Sequence, residues 1–220
     1  MPLEPDVKHG TFRTSTGSAK GGNSPTVAIV LVNWNSLEDT LSCIKSLGSL
    51  DYSPFFIVLV DNGSSCSPVA AVRAVRPDVL IQETGRNLGY TGGNNLGARI
   101  ALSHGADYVL CLNNDTVVAP DLLQILVPAM ETQPTAGFAT PAIYEAEHPD
   151  RLAGLGCEIR LDRSPCAFAI RSAKEMVKPH SVPFVEGCAM LVRRAAFAQT
   201  GGFDDSFFAY LEDADLCLRV

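Results

Sequence analysis

From residue 27 the chain alternates short apolar, β-branched runs with stretches in which apolar positions recur every three or four residues. The first run, Val27 to Val32 (VAIVLV), is continuous, as expected of a strand covered on both faces. Behind it Leu37, Leu41, Ile44 and Leu47 fall at helical spacing, and Ser36 with Asp39 three residues on gives a helix-start signal. A second strand is predicted over Phe55 to Val60 (FFIVLV) and a third over Val79 to Glu83. The third runs into TGRNLGYTGGNNLGARIALSHG, a glycine-rich loop opening a helix that places Leu96, Ile100 and His104 inward and closes at Gly105. The stretch Tyr108 to Asp121 (YVLCLNNDTVVAPD) carries the fourth strand, and Pro120 opens a helix reaching Met130.

Strands following helices in this order predict an α/β fold with a mostly parallel central sheet and helices on both faces. Residues 141 to 183 break the rhythm with weaker periodicity, several charges and Pro149, Pro165 and Pro179. They read as an insertion or a change of sheet direction. Pro183 to Arg193 (PFVEGCAMLVR) then reads as a further strand, and Arg194 to Thr200 as a short helix stopped by Gly201 and Gly202.

A chain of 220 residues, 46% hydrophobic and 19% charged, is sized for about one domain with a real core. It has no apolar run of the roughly 18 residues that span a bilayer, so a soluble protein is expected. The formal charge of -7 argues against a nucleic-acid partner, which clustered Lys and Arg would hold. A bound phosphate would instead need a metal or backbone amides. Residues 1–25 lack the apolar centre of a signal peptide and read as a disordered leader to a domain over 26–220. Seven scattered cysteines without a C-x-x-C pair read as reduced thiols of a cytosolic protein, Cys111 among them a core residue. The four histidines have no metal-site spacing.

The polar residues that end these strands change the picture, because ligands of open α/β sheets bind outside the carboxyl ends of the strands. Asn33-Trp34-Asn35 follow the first strand, Asp61-Asn62 the second and Asn113-Asn114-Asp115 the fourth. A carboxylate at Asp115 would suit a divalent cation that neutralises two phosphates; the plainer alternative is a turn before Thr116. Asp61 would accept hydrogen bonds from a base or ribose, or simply form a turn with Asn62-Gly63. Trp34 reads as packing beside such a site. The segment Gly85 to Gly97 holds five glycines in thirteen residues, at the wrong spacing for a dinucleotide fingerprint. Its glycines either bring free amides to a ligand or let a helix approach the sheet, while Arg86, Asn87, Asn94 and Asn95 offer groups to ribose and diphosphate. Near the end, GGFDDSFFAYLEDADLCLRV places five acids from Asp204 to Asp215 among aromatics. They serve a helix start, or supply a partly desolvated general base.

Taken in order, VNWN, VDNGS, NLGYTGGNNLG, CLNNDT, EGCAMLVRR and GGFDDSFFAYLEDADLCLR resemble the signature blocks of family 2 inverting glycosyltransferases, in the rhamnosyltransferase-like branch. The resemblance covers Val27 to Val220 and implies the GT-A fold, Mg or Mn as cofactor, and sugar transfer from a nucleoside diphosphate to a hydroxyl with inversion. It implies that Asp61 binds the nucleoside, that Asn33 and Asn94 line the same pocket with Arg86 and Asn87 nearby, and that Asn113 to Asp115 stand for the metal-binding D-x-D. Asp213 would be the base, with Glu212 its rival, and Glu186 and Gly187 would lie near the donor or acceptor sugar. Expected donors are dTDP-rhamnose or a UDP-sugar. The expected acceptor is a cell-surface glycan, including a lipid-linked one that would bring a cytoplasmic protein to the inner membrane face.

Two features depart from the family pattern. Asn113 replaces one metal carboxylate by an amide, and relatives continue past the LCLR helix, so the sequence reads as C-terminally truncated. Two other readings stay open, a non-catalytic sugar-nucleotide or glycan-binding protein and a sugar nucleotidyltransferase. The second is disfavoured by VNWNS where a basic glycine-rich loop would stand.

Overall fold

The computed structural model describes residues 24–160, 167–170 and 181–220, with the backbone alone for 157–160 and 167–170. Of the expected leader, residues 1–23 lie outside the described residues. The central sheet is built first from β1 (Val27–Asn33), β2 (Phe55–Asp61), β3 (Leu80–Glu83) and β4 (Tyr108–Asn113), all parallel in the order β3-β2-β1-β4. Their register sets Asn33 beside Asp61 and Val32 beside Asn113, so the polar strand ends share one edge. Beyond β4 the sheet changes direction. Residues 138–170 contribute β5 (Phe138–Ala139), β6 (Ile143–Tyr144), β7 (Leu152–Gly154), β8 (Cys157–Arg160) and β9 (Ala167–Ile170). Strand β10 (Ala189–Arg193) runs antiparallel to β4 and to β5, while β6 with β7 and β8 with β9 form separate two-stranded antiparallel pairs.

Because side chains alternate along a strand, each parallel strand feeds two cores. Ile29, Leu31, Ile57, Leu59, Leu110 and Leu112 face α1 (Leu37–Leu47), α2 (Val69–Val75) and α4 (Leu122–Glu131). Ala28, Val30, Val58, Val60, Val109 and Cys111 face α3 (Gly89–Ser103), α5 (Arg194–Thr200) and α6 (Glu212–Leu218). Each fully buried Leu, Ile or Val stabilises the fold by about 1.5–3 kcal/mol relative to exposure. Three α3 glycines serve this packing. A Cβ at Gly97 would overlap Val30, one at Gly93 would lie 2.8 Å from Val32 Cγ1, and one at Gly89 would overlap the Phe208 carbonyl.

Several expectations are corrected. The strand foreseen over Pro183 to Arg193 is limited to Ala189–Arg193, because Gly187 and Cys188 turn across the tip of β4. His104 is exposed as the C-cap of α3, its Nδ1 2.8 Å from the Ile100 carbonyl and its ring 6.2 Å from that of Phe56 in β2. Trp34 does not pack and is 55% exposed. Ser36 occupies the N-cap of α1 without a cap bond to the backbone, and its hydroxyl donates to the Asp39 carboxylate instead. Helix α4 begins two residues beyond Pro120.

Candidate active site at the strand tips

At the tips of β1 and β2 a buried polar cluster is assembled. Asn33 Nδ2 donates to Asp61 Oδ1 (2.9 Å) and to Ser64 Oγ (3.0 Å), and the Ser64 hydroxyl donates to the same Asp61 oxygen (2.6 Å). Asn33 Oδ1 accepts from the Ser36 amide (3.3 Å) and the Thr40 hydroxyl (3.0 Å). These bonds satisfy polar groups that would otherwise each cost about 1–3 kcal/mol to bury. Asp61 Oδ2 takes only a 3.3 Å contact from the Ser64 amide, and the residue is 3% exposed, so this is the less strongly bonded of its two oxygens in a buried cluster.

The glycine loop is pinned to this cluster by Asn62, whose Oδ1 accepts from the Leu88 amide (2.9 Å). Its Nδ2 donates to Asn87 Oδ1 and to the Gly89 carbonyl, each at 3.0 Å. Asn87 Oδ1 also accepts from the Gly89 amide at 2.8 Å. Asn94 is buried and donates to the Tyr90 carbonyl (3.0 Å); Asn95 donates to the Phe203 carbonyl (2.9 Å) and to Asp205 Oδ1 (2.8 Å). Arg86 is exposed on the loop surface. Of the two uses expected of this segment, the close packing by its glycines is visible.

At the tip of β4 the Thr116 hydroxyl closes a turn onto the Asn113 carbonyl (2.7 Å), and Asn114 Nδ2 donates to the Thr40 hydroxyl (2.9 Å). Asp115 is exposed, and among the described residues nothing donates to its carboxylate. The Asn113 amide donates to the Cys188 carbonyl (2.9 Å), which brings the Glu186–Cys188 turn against this tip. The Cys188 thiol is pushed up to about 11, chiefly by burial, with the charges of Glu186, Asp115 and Asp213 contributing. These acids therefore converge on one turn although they come from three parts of the chain.

Gly187 stands at the centre of that turn. Its amide donates to Asp213 Oδ2 (2.8 Å), and its carbonyl accepts from the Tyr90 hydroxyl. Burial, with Cys111, Glu212 and Asp213 adding, holds Tyr90 well above the ordinary tyrosine value, so it remains a donor. Glu186 turns toward the Gly156 amide, which donates to its Oε2 at 3.0 Å. The adjacent acids at the start of α6 differ sharply. Asp213 is half-buried, whereas Glu212 is 5% exposed, with Oε2 buried and without a partner. Burial raises the Glu212 carboxyl above its ordinary value, and the neighbouring Asp213 charge adds to this.

Among the described residues no three His, Cys, Asp or Glu side chains gather as a metal cage. Mg and Mn suit a sparer arrangement, one or two carboxylates with substrate phosphates and water completing the shell, and Asp115 fits as such a ligand. Cys43, Cys66, Cys111, Cys188 and Cys217 are free thiols, and no described helix is long and apolar enough to cross a membrane.

The sequence model described as Glycosyl transferase family 2 matches residues 28–201. The chain belongs to that family. A relative in Mycobacterium tuberculosis, N-acetylglucosaminyl-diphospho-decaprenol L-rhamnosyltransferase, is 32% identical over 218 residues, covering 89% of this chain and 69% of that protein. The low-salt glycan biosynthesis hexosyltransferase Agl10 of Haloferax volcanii is 30% identical over 202 residues, covering 88% of this chain and 61% of that protein. Among solved structures, GalNAc-T7 with UDP, GalNAc and Mn2+ superposes with a TM-score of 0.74 at 17% identity over 90% of this chain and 41% of that one. Mannosyltransferase PcManGT from Pyrobaculum calidifontis, in complex with GDP-Man and Mn2+, gives 0.62 at 17% identity over 88% and 51%. The transferase is thus a rhamnosyltransferase-like member of family 2 with the GT-A fold. Two residues escaped the sequence reading as parts of this site: Ser64, which resembles an ordinary turn residue, and Tyr90, which resembles a core aromatic.

Proposed function

We propose that the transferase binds a nucleoside-diphosphate sugar, dTDP-rhamnose or a UDP-sugar, across the tips of β1, β2 and β4. It moves the sugar with inversion to a hydroxyl of a lipid-linked glycan in cell-surface polysaccharide synthesis. The observation that carries this reading is the half-buried Asp213 carboxylate, fixed by the Gly187 amide on the turn that also feels Asp115. Asp213 takes the proton of the acceptor hydroxyl while that oxygen attacks the anomeric carbon, and the bond from that carbon to the diphosphate oxygen breaks on the opposite face. One carboxylate suffices for such a displacement. Asp213 is the more exposed of the two adjacent acids and is oriented by the Gly187 amide, which favours it over Glu212 as base.

Asp61 Oδ2 is the acceptor left for ribose or base, with Asn33 holding it, Arg86 at the rim and Asn87 and Asn94 shaping the loop. Asp115 would hold Mg or Mn, whose charge when bound offsets that of the diphosphate; Asn113, with its neutral amide, makes this a site of modest affinity. Gly187 and Glu186 border the space for the reacting sugars. The mycobacterial relative acts, by its name, on N-acetylglucosaminyl-diphospho-decaprenol, which supports a lipid-linked acceptor and work at the cytoplasmic face of a membrane.

Calorimetric titration with dTDP-rhamnose, UDP-sugars and GDP-mannose, with and without Mn, tests the donor site alongside Asp115→Ala. Donor binding that needs the metal and weakens at least tenfold in Asp115→Ala is the expected result. Folded protein that binds none of these donors would overturn the reading. A donor that is bound but never transferred would favour the sugar-nucleotide-binding protein instead.

A further inference from the structure

The segment between α5 and α6 carries an arrangement that the donor chemistry leaves unused. Phe208, Tyr210 and Leu211 are 61%, 86% and 53% exposed within four residues, immediately before Glu212 and Asp213. Single exposed apolar side chains are ordinary, but a group of three bordering a reactive carboxylate marks a contact surface. The backbone beneath them is held at several points. The Thr91 hydroxyl donates to the Phe207 carbonyl, the Tyr90 amide to the Phe208 carbonyl (2.8 Å), and the Asp215 amide to the Leu211 carbonyl (3.0 Å). Tyr210 and Leu211 both adopt the left-handed region, at φ 74° and 68°, a conformation bulky residues keep only where their surroundings impose it. The fold thus sustains a strained backbone to keep these side chains at the surface.

Acids flank the same segment. Asp204 and Asp205 are exposed on its approach, and the half-buried Asp213 follows it. Aromatic faces next to carboxylates match a sugar ring, which presents an apolar C–H face bordered by hydroxyl donors. An anionic lipid surface is the poorer match, because it attracts basic segments and this one is acidic on a chain of net charge -7.

We propose that Tyr210, with Phe208 and Leu211 beside it, is a stacking platform for the acceptor sugar, which it holds with its hydroxyl toward Asp213. This rests on the transferase reading and specifies its acceptor subsite. The test uses Tyr210→Asn, which removes the ring while suiting the left-handed backbone, and Tyr210→Phe, which keeps the ring. Two acceptor probes are used, N-acetylglucosaminyl-diphospho-lipids with a short water-soluble chain and with a long polyprenyl chain. Tyr210→Asn should raise KM for both acceptors on the order of tenfold, with kcat and donor affinity within about twofold, and Tyr210→Phe should restore KM. An unchanged KM overturns the platform, and so does an increase confined to the long-chain acceptor, which would assign the surface to the lipid. Saturation-transfer NMR of the short-chain acceptor with donor-free protein gives a second arm. Contact with wild type that disappears in Tyr210→Asn supports the platform, and no contact with wild type overturns it. This arm decides even where no donor is bound or transferred, the outcome that instead defeats the transferase reading.

Discussion

Gly187 offers a sharp test of the proposed base, because its backbone lies between the Tyr90 hydroxyl and the Asp213 carboxylate. A Cβ there would stand 2.9 Å from Tyr90 Oη, 3.3 Å from Asp213 Oδ2 and 3.4 Å from Asp213 Cβ. Gly187→Ala therefore forces the hydroxyl aside and moves the carboxylate by a few tenths of an ångström. Proton transfer needs heavy atoms at roughly 2.6–3.2 Å, and a misplacement of about 1 Å costs on the order of a hundredfold. The smaller displacement here predicts a loss of about tenfold in kcat, or roughly 1.4 kcal/mol of barrier. Asp213→Asn keeps the shape and removes the base, so it should lose about 10²–10⁴-fold. Nucleoside diphosphate release at saturating donor and acceptor measures kcat, and calorimetry measures donor affinity, which should stay within about twofold in both variants. A Gly187→Ala enzyme that melts like wild type and keeps kcat within about twofold would refute the placement of Asp213 as base. A defect confined to donor affinity would refute it as well.

Two further predictions concern stability. The Glu212 carboxyl is raised by burial, so its contribution is present at pH values below the ordinary carboxylate range and is lost as pH rises through its raised value. Glu212→Gln should therefore melt at least as high as wild type at neutral pH and lose that advantage in acid; a lower melting temperature at neutral pH would reveal a partner for the charge. Gly97→Ala should gain up to about 1 kcal/mol of helix propensity yet lose about 1–3 kcal/mol by pressing on Val30, and a denaturant midpoint above wild type would refute the close contact between α3 and β1.

The parallel strands were legible because burial on both faces demands unbroken apolar runs, and VAIVLV, FFIVLV and YVLCL are such runs. The run before β10 misled for the same reason. PFVEGCAMLVR looks equally strand-like, but the tertiary fold places Gly187 and Cys188 in a turn where the Gly187 backbone lies close to Tyr90 and Asp213. His104 misled because helical spacing assigns a face without saying that the residue closes the helix, where it borders Phe56 yet stays exposed. The strand tips were legible as positions and illegible as a network. Nothing in VNWN or VDNGS states that Asn33 will hold one oxygen of Asp61 and leave the other to a single 3.3 Å contact, because that follows from the parallel register that sets the two side by side.

The two adjacent acids show where a motif stops and geometry begins. Glu212 and Asp213 open α6 together, and as letters they are interchangeable candidates for a base. Consecutive helical residues point about 100° apart, so a helix packed by Ala214 and Leu216 against the sheet must treat the pair differently. Glu212 is turned into the protein and left with an unpartnered oxygen, while Asp213 is turned to the Gly187 amide at the edge of the site. A base has to meet its substrate, and a carboxylate also has to be oriented before it can take a proton in line. The proposed base, Asp213, is oriented because Tyr90, from the glycine-rich helix, fixes the peptide that holds it. The glycine motif thus bears on the chemistry indirectly, since its close packing on β1 and β2 brings Tyr90 to the turn at Gly187.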